Sequence, residues 1–504
     1  MGNEKPAVEN VDNINSNMAQ TSSLDAKRDP EKHTEQPLPY DPVLERRLRL
    51  KIDLMIVPTV ALLYLFCFID RANIGNARIA GLEKDLGMKG LDYNATLSIF
   101  YISYILFEIP SNILCKLMGP GWFIPLTTLL FGICSVGTAF VHTVPQVMGV
   151  RFLLGIFEAG MMPGIAYYLS RWYRRSELAF RLSLYIVMAP LAGAFGGLLA
   201  SAILRLDHFG SLSSWRMIFA IEGIVTICLA LLGFITLTDR PATARWLTQA
   251  EKDLAEARVR SERVGQPHLL DKMDTIKLRR GILCPVTLST AFVFLLNNVT
   301  VQGLAFFLPT IVRNIYPNAT VERQQLFTVP PYVTGAVFTV LLPLISWRID
   351  RRQIFFIIST PLAMVGYIMF LASKDLSVRY GATFLIGSSV FALGALTNAQ
   401  VSANVVSDTA RSSAIGTNVM FGNIGGLIST WSFLPWDGPD YPIGNGLNLA
   451  TISAILITST LTLFWMKRDN RKREGRVLEE ELSGVSAEEE SNLDWKHPSF
   501  RWKA

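Results

Sequence analysis

The sequence predicts an all-α membrane protein in which twelve transmembrane helices form two six-helix bundles. Half of the 504 residues are hydrophobic and only 17% are charged, and the mean hydropathy is +0.32. The charges are concentrated at both ends and in one central stretch, so the remainder consists of long apolar runs. Twelve helices of about 20 residues use about 240 positions, which matches the apolar share of the chain. We therefore expect neither a soluble enzyme nor a nucleic-acid binder.

Each apolar run is long enough to cross about 30 Å of hydrocarbon at about 1.5 Å per residue. The predicted spans are 53–75, 94–115, 122–141, 146–169, 182–204, 216–237, 284–311, 327–347, 354–372, 381–401, 413–434 and 448–466. The corresponding domains are a disordered cytosolic N-terminal tail (1–52), an N-terminal bundle (53–237), a cytosolic linker (238–283), a C-terminal bundle (284–466) and a cytosolic C-terminal tail (467–504). Polar composition predicts disorder for residues 1–38 and 475–504.

The distribution of basic residues predicts the orientation. An even number of spans places both termini on one side of the membrane. From residue 42 onward, the segments on that side hold about 32 Lys and Arg, against about 8 on the opposite side. We therefore expect cytosolic termini. The first span serves as the membrane signal, because no signal peptide is visible.

Two spans contain similar glycine-rich patches, which indicates an internal repeat. The sequence Phe195-Gly-Gly-Leu-Leu-Ala-Ser in span five resembles Ile424-Gly-Gly-Leu-Ile-Ser-Thr in span eleven, and an Arg precedes each (Arg181 and Arg411). With six spans on either side of a charged linker, the pattern favours two bundles related by an axis along the membrane normal. The alternative is that Gly-Gly-Leu is only a common helix-packing patch.

The residue types available for chemistry are few. The sequence contains no phosphate-binding loop of the G-x-x-x-x-G-K-[ST] type and no cluster with metal-ligand spacing, so we expect no cofactor and no metal. The five cysteines are interpreted as small apolar residues. All five histidines fall outside the spans or at their edges, so a proton carrier inside the membrane has to be a carboxylate.

Five ionisable residues stand out within the spans, where each charge costs about 2.5–3.5 kcal/mol on insertion scales. They are Asp70, Arg71, Glu108, Arg151 and Glu158. Asp70 and Arg71 are consecutive, so they diverge by about 100° around a helix and face different neighbours. Arg151 and Glu158 are seven residues apart, which places them on one helix face about 10 Å apart.

These charges suggest how a proton and an anion are coupled. Arg71 or Arg151 can bind a carboxylate substrate through a bidentate contact. A neighbouring Asp70 or Glu158 can take up a proton and thereby release its arginine for the anion. The alternative is that these residues form interhelical ion pairs that hold the bundle together, which is the favoured interpretation for Glu108.

Polar side chains in several spans are candidates for hydrogen bonds to a substrate, although they can equally bond helix to helix. The candidates are Tyr101, Tyr104, Asn297, Asn298, Gln302, Asn398, Asn418 and Asn423. Gly160, Pro163 and Gly164 predict a bend just after Glu158. Asn318-Ala-Thr320 is a possible glycosylation sequon on an external loop.

Several motifs carry a resemblance to a known family. They are Asp70-Arg-Ala-Asn-Ile-Gly-Asn-Ala, Tyr104-Ile-Leu-Phe-Glu-Ile-Pro-Ser-Asn, Arg151-Phe-Leu-Leu-Gly-Ile-Phe-Glu-Ala-Gly, Trp215-Arg-Met-Ile-Phe-Ala-Ile-Glu-Gly and Phe307-Leu-Pro-Thr. From about Tyr40 to about Met466, the sequence resembles the fungal allantoate permease group of the anion:cation symporter family, within the major facilitator superfamily. The resemblance implies the major facilitator fold, alternating access, and proton-coupled uptake of small carboxylates such as allantoate, nicotinate or pantothenate.

The resemblance also implies site residues. The family's proton-coupling positions fall on Asp70 and Glu158, and its substrate-binding arginines fall on Arg71 and Arg151. Together with Tyr104, we expect Asn298, Asn398 and Asn423 to line the substrate site. Two departures from the family pattern are a loop after span two without Asp-Arg, and Phe68 where some relatives have Tyr. The second departure predicts the loss of one substrate hydrogen bond.

We expect a non-enzymatic, monomeric secondary transporter in the plasma membrane, whose partners are a small organic anion, protons and the lipid bilayer. One alternative is a proton-antiporting exporter of a secondary metabolite or toxin. Span five lacks the Gly-Pro pair that is usual in such exporters, because Pro190 precedes Gly193. The other alternative is a nutrient sensor that does not transport, but the chain lacks the long structured extensions typical of sensors.

Overall fold

A computed structural model describes residues 42–173, 177, 181, 184–206, 208–261, 275–474 and 493–503. This part of the chain is almost entirely helical, and its only β pairing is an isolated bridge between Phe209 and Leu212. The longer helices are α1 (Pro42–Ile79), α2 (Asp92–Met118), α3 (Pro120–Thr138), α4 (Val144–Glu158), α5 (Met161–Ser170), α6 (Met188–Ile203), α7 (Trp215–Thr236), α8 (Gln249–Ser261), α9 (Thr275–Ile282), α10 (Pro285–Ile315), α11 (Val321–Ile349), α12 (Gln353–Ala372), α13 (Leu376–Ala403), α14 (Asp408–Ser429) and α15 (Pro442–Glu474).

Each of the twelve predicted spans overlaps with helix in the described residues, and span 146–169 overlaps with two helices, α4 and α5. Within the described residues, eleven helical segments are long and apolar enough to cross a membrane. The remaining predicted span, 413–434, corresponds to α14, which contains Asn418 and Asn423 and packs along α10. A helix lined by protein neighbours can carry such polar side chains within the bilayer. The fold is therefore an all-α membrane fold, as predicted.

Local sequence signals determine where several helices begin. Thr143 caps α4 in a capping box with Gln146, and Asp375 caps α13 by accepting a hydrogen bond of 2.8 Å from the backbone N of Ser377. The turn between α2 and α3 depends on Gly119, whose φ of +87° favours glycine. The ends of the spans are thus specified locally.

The predicted bend beyond Glu158 is confirmed. Helix α4 ends at Glu158, and α5 begins at Met161 after a short interruption. Gly160 lies at this break, where a side chain would collide with the ring of Phe123. The break follows directly after Glu158, so an ionisable residue lies at the end of a helical segment.

The N-terminal half (α1–α7) and the C-terminal half (α10–α15) contact each other at the end of the helices opposite the 238–283 linker, here called the distal end. Asn94 Nδ2 donates to the Thr430 carbonyl at 2.6 Å, and Gln325 Nε2 donates to the Asn76 carbonyl at 3.1 Å. The hydroxyl groups of Ser98 and Thr430 lie 2.7 Å apart. These contacts close the distal end.

Two predictions about the tails are wrong in part. The helix of span one begins at Pro42, so residues 42–52 are helical and do not belong to a disordered tail. Residues 493–503 are ordered, because Trp502 is buried among Cys284, Val401 and Met466. Residues 1–38 and 475–492, also predicted to be disordered, lie outside the described residues.

The C-terminal segment 493–503 is held by polar contacts as well. Asp494 accepts hydrogen bonds from the backbone N atoms of Val406 and Ser407, at 3.0 and 2.8 Å, just before α14. A carboxylate at this position stabilises the positive end of the helix dipole. The indole of Trp502 donates to Asp469 at 2.7 Å. The segment therefore covers the linker end of the C-terminal half.

The charged run in the linker forms helix α8, as its spacing of opposite charges predicts. Glu251 accepts a hydrogen bond of 2.8 Å from Lys51, and this bond holds the pKa of Glu251 below its ordinary value. Leu254 and Ala255 are buried, so one face of α8 packs against the protein. Residues 262–274 of the linker lie outside the described part.

Candidate functional site

Two ion pairs join α1 to α4 within the membrane-spanning region. Arg71 Nε lies 2.5 Å from Glu158 Oε2, and Arg151 Nη1 lies 3.6 Å from Asp70 Oδ2. The consecutive residues Asp70 and Arg71 thus face different partners, as expected for adjacent helical positions. Glu158 is two turns from Arg151, which gives each α1 residue its own partner on α4.

All four charged residues are buried, with relative exposures between 0% and 7%. Additional polar contacts stabilise the two carboxylates. The Ser135 hydroxyl donates to Asp70 Oδ1 at 2.6 Å, and the Cys67 thiol donates to Glu158 Oε2 at 3.3 Å. Because an unpaired buried charge is very costly, these four residues act as one electrically balanced cluster.

Aromatic rings surround the guanidinium group of Arg71. Its Cζ lies 4.9 Å from the ring centre of Phe68, 5.2 Å from that of Phe100 and 4.9 Å from that of Tyr104. Such contacts stabilise a cation that has lost its water. Phe68, at the position where a tyrosine hydroxyl was predicted to be missing, therefore contributes a ring face to Arg71.

A small cavity lies between the two arginines. It has a volume of about 10 Å³, about the space of one water molecule, and Arg71, Leu97, Phe100, Arg151 and Phe306 are among its lining residues. Among the described residues, none accepts a hydrogen bond from Arg151 Nε or Nη2. Arg151 thus lines this cavity and, within the described part of the chain, has two buried donor atoms without partners.

Close packing of α2 on α4 positions the cluster. A Cβ atom at Gly155 would collide with the Phe100 carbonyl and the Ser103 hydroxyl. Glycine at this position lets the two helices approach, because it adds no side chain between them. The approach brings the ring of Phe100 close to Arg71. Gly155 is therefore part of the site's scaffold.

The predicted polar residues of the C-terminal half are mostly engaged in helix contacts. Asn298 Nδ2 donates to the Phe294 carbonyl of its own helix at 3.0 Å, and Asn398 Oδ1 accepts from Asn418 at 2.9 Å. This arrangement agrees with the alternative that these side chains bond within and between helices. It leaves Asn298 and Asn398 without a visible connection to the charged cluster.

Asn423 and Glu108 connect the two halves. Asn423 Nδ2 of α14 donates to Glu108 Oε2 of α2 at 3.0 Å. The sequence analysis favoured a structural role for Glu108, and this contact supplies a partner for it. Glu108 lies one helical turn beyond Tyr104, so the contact between the halves is close to the aromatic surroundings of Arg71.

A buried carboxyl group that the sequence analysis did not single out lies near the cluster. Glu222 of α7 is 3% exposed and accepts a hydrogen bond from Asn73 Nδ2 of α1. The signal was present in the sequence, because Glu222 is a charged residue inside an apolar span. Its contact with Asn73 could not be predicted from the sequence, since α7 and α1 are far apart in the chain.

The possible glycosylation site at Asn318 lies in an exposed turn between α10 and α11, at the distal end. A second stretch with the same pattern, Asn94-Ala-Thr96, has its asparagine fully buried against Thr430. Of the two asparagines, Asn318 is therefore the one that is accessible for glycosylation.

Comparison with known proteins gives consistent matches. A family model described as Major Facilitator Superfamily matches residues 60–430. The chain is 29% identical over 466 residues to the high-affinity nicotinic acid transporter of Saccharomyces cerevisiae, covering 92% of this chain and 86% of that protein. It is 31% identical over 474 residues to the MFS-type transporter efuF of Hormonema carpetanum, covering 92% and 93%.

Among solved structures, the chain is similar to a bacterial homologue of the human lysosomal transporter Spinster in an inward-facing, unoccupied conformation. The TM-score is 0.62 at 15% identity, and the match covers 84% of this chain and 96% of that one. At this level of identity the similarity concerns the fold alone.

Proposed function

The chain belongs to the major facilitator superfamily and is a membrane transporter, and on that premise we propose that it takes up a small organic anion together with a proton. The single observation that carries the proposal is the buried cluster of two arginines and two carboxylates beside a cavity. The two guanidinium groups can bind a carboxylate, and the carboxyl groups paired with them can carry the proton.

Charge balance supports the coupling. In the ion-paired state, the four charges of Asp70, Arg71, Arg151 and Glu158 sum to zero. A bound carboxylate would add one negative charge to a site that water does not solvate, which is unfavourable. Protonation of Glu158 or Asp70 adds the compensating positive charge, so proton and anion enter more favourably together than separately.

The two arginines have different roles in this proposal. Arg151 has two donor atoms without partners, so it is the first contact for the substrate carboxylate. Arg71 is bound tightly to Glu158, and it becomes available only when Glu158 takes up a proton. Tyr104 and Asn423 remain candidates for further substrate contacts, whereas the proposal does not depend on Asn298 or Asn398.

The substrate class is a carboxylate nutrient or vitamin, and we propose membership of the allantoate permease group. The named function of the S. cerevisiae nicotinic acid transporter supports a carboxylate of this size. The basic linker and tails support cytosolic termini. With that orientation, closure of the distal end corresponds to an inward-facing state of the transporter. We propose a location in the plasma membrane, where uptake of nutrients takes place.

The test is uptake into proteoliposomes or transporter-deficient cells of labelled nicotinate, allantoate, pantothenate and biotin, at acidic and at neutral external pH. We expect uptake of at least one compound to increase in acid and to be lost in Arg151→Ala and Arg71→Ala. Arg313→Ala, at an exposed position at the end of α10, is the matched control and should retain uptake.

The variant Glu158→Gln separates coupling from binding. We expect it to retain exchange of labelled for unlabelled substrate but to lose accumulation driven by a proton gradient. Full accumulation in this variant would remove Glu158 from the coupling role. Efflux driven by inward proton flow would indicate the exporter alternative, and binding without exchange would indicate a sensor.

A further inference from the structure

We propose that Glu222 is a second proton-binding carboxyl group of the transport cycle, held by Asn73 and coupled electrostatically to Asp70. This inference rests on the proposed proton coupling and adds a residue outside the four-charge cluster. It starts from a titratable residue that is buried without an ion-pair partner among the described residues. Glu222 is 3% exposed, and within the described part of the chain it forms no ion pair.

Among the residues that the structure describes, no cation pairs with Glu222. From α1, Asn73 donates a hydrogen bond to Oε2, and the carboxylate of Asp70, about one helical turn before Asn73, repels a negative charge on Glu222. From α3, Ser135 donates to Asp70, and Gly132 and Val136 pack against Gly223.

The arginine beside Phe219 is engaged elsewhere. Arg151 of α4 pairs with Asp70, and its Cζ lies 5.4 Å from the ring centre of Phe219, one turn before Glu222. Among the described residues, no group donates to Glu222 Oε1, although that atom is buried. An ionised carboxylate in these surroundings would be strongly unfavourable, whereas a protonated carboxyl group would not.

The environment of Glu222 is connected to the contact between the halves. Asn73 Oδ1 accepts from Asn76 Nδ2 at 3.4 Å, and the Asn76 carbonyl accepts from Gln325 of the C-terminal half at 3.1 Å. Gly196 of α6 packs against Asn73 and Asn76. Opening of the distal end separates Gln325 from Asn76, which allows the asparagines to rearrange. The hydrogen bond to Glu222 then differs between the two conformations.

This difference is what a coupled proton site requires. A ligand shifts a conformational equilibrium only when its affinity differs between the two states. A proton on Glu222 meets that condition, because its partner Asn73 belongs to a chain of contacts that ends at the opening interface. Ionised Asp70 favours the proton on Glu222, so the two carboxyl groups bind protons in alternation and not independently.

The experiment measures protonation directly on the full-length protein in lipid, without substrate. Infrared difference spectra are recorded over a pH series for the native protein, Glu222→Gln and Asp70→Asn. We expect a C=O stretching band of a buried protonated carboxyl group that disappears on raising the pH and is missing in Glu222→Gln. The midpoint of its disappearance should move in Asp70→Asn. Glu474→Gln, at an exposed position on α15, is the control and should leave the band intact.

Several results would overturn the inference. A band that persists at every pH and vanishes in Glu222→Gln means a permanently protonated structural residue. Spectra identical in the native protein and Glu222→Gln mean a permanently ionised group, and an unchanged midpoint in Asp70→Asn removes the coupling. If Glu222→Gln does not fold, Asn73→Ala retains the carboxyl group and should shift the frequency of the band; no shift contradicts the Asn73 contact.

A second readout uses nicotinate as the probe in proteoliposomes. If the native protein accumulates nicotinate, Glu222→Gln should lower the number of protons taken up per nicotinate while exchange continues. Absence of acid-driven uptake by the native protein and by all other carboxylates of the panel would refute the proposed function. The infrared result would still decide whether Glu222 exchanges a proton.

Discussion

Removal of one partner from the Arg71–Glu158 pair should have unequal effects, depending on which partner is removed. In Arg71→Ala, the one donor left to Glu158 among the described residues is the weak thiol of Cys67, at 3.3 Å, and Glu158 has no exposed surface. Breaking a buried ion pair in this way costs about 3–5 kcal/mol. In Glu158→Gln, Arg71 keeps its aromatic neighbours, and the amide oxygen of Gln can still accept a hydrogen bond.

The expected cost of Glu158→Gln is therefore smaller. Each cation–π contact of a desolvated arginine is worth about 0.5–2 kcal/mol, and a lost hydrogen bond to a charged group costs about 1.5–3 kcal/mol. We expect a net loss of about 1–3 kcal/mol for Glu158→Gln. The double variant should lose less than the sum of the single losses, because it leaves no unpaired buried carboxylate.

The assay is reversible unfolding of the purified protein in mixed micelles, with the free energy of unfolding compared among the native protein, both single variants and the double variant. Arg313→Ala serves as the control for loss of an exposed arginine. Equal losses in the two single variants, or strictly additive losses in the double variant, would refute the reasoning. Either result would mean that a proton, water or another residue compensates Glu158 when Arg71 is absent.

Three further predictions concern other parts of the fold. Gly155→Ala should destabilise the protein by about 1–3 kcal/mol through overpacking, whereas Gly149→Ala in the same helix, where a Cβ meets no neighbour, should be neutral or slightly stabilising; thermal unfolding compares the two. Trp502→Ala should release the C-terminal segment, so limited proteolysis within 493–503 should become faster while the transmembrane helices stay protected; unchanged cleavage would contradict the observed docking. The hydrogen bond from Arg379, 2.6 Å long, holds the pKa of Asp440 below its ordinary value. This pair therefore stabilises the fold fully above pH about 3.9, and its contribution is lost as the pH falls through the lowered pKa of Asp440. Asp440→Asn should therefore lower stability by about 0.2–1 kcal/mol at neutral pH and by nothing in strong acid; an equal loss at both pH values would contradict the assignment.

The sequence could predict which residues belong to the charged cluster, but not how they pair. Charged residues inside apolar spans are conspicuous, so Asp70, Arg71, Arg151 and Glu158 could be identified without coordinates. Their pairing could not be derived from the sequence, because it depends on the depth and rotation at which α1 packs on α4. Glu222 has the same sequence signal, and only its contact with Asn73 on α1 gave it a possible role.

For the polar residues of the C-terminal half, the sequence could not distinguish a substrate contact from a helix contact. An asparagine in a span can contact a substrate or a neighbouring helix, and both interpretations fit the same sequence. Asn398 bonds to Asn418, and Asn423 bonds to Glu108 of the other half. Each choice depends on which helix lies opposite, which is a property of the assembled bundle.

The sequence by itself determined which segments form membrane helices, because apolar length, proline and capping residues act over a few neighbouring positions. It did not determine every limit, since α1 begins at Pro42 and α14 ends at Ser429. It also determined that charges have to be buried in the membrane, since they stand inside the spans. Tertiary structure alone decided which charge meets which, and that the tail around Trp502 is docked. Those contacts join residues far apart in the chain, and their energies depend on distances of a few ångströms that no local pattern encodes.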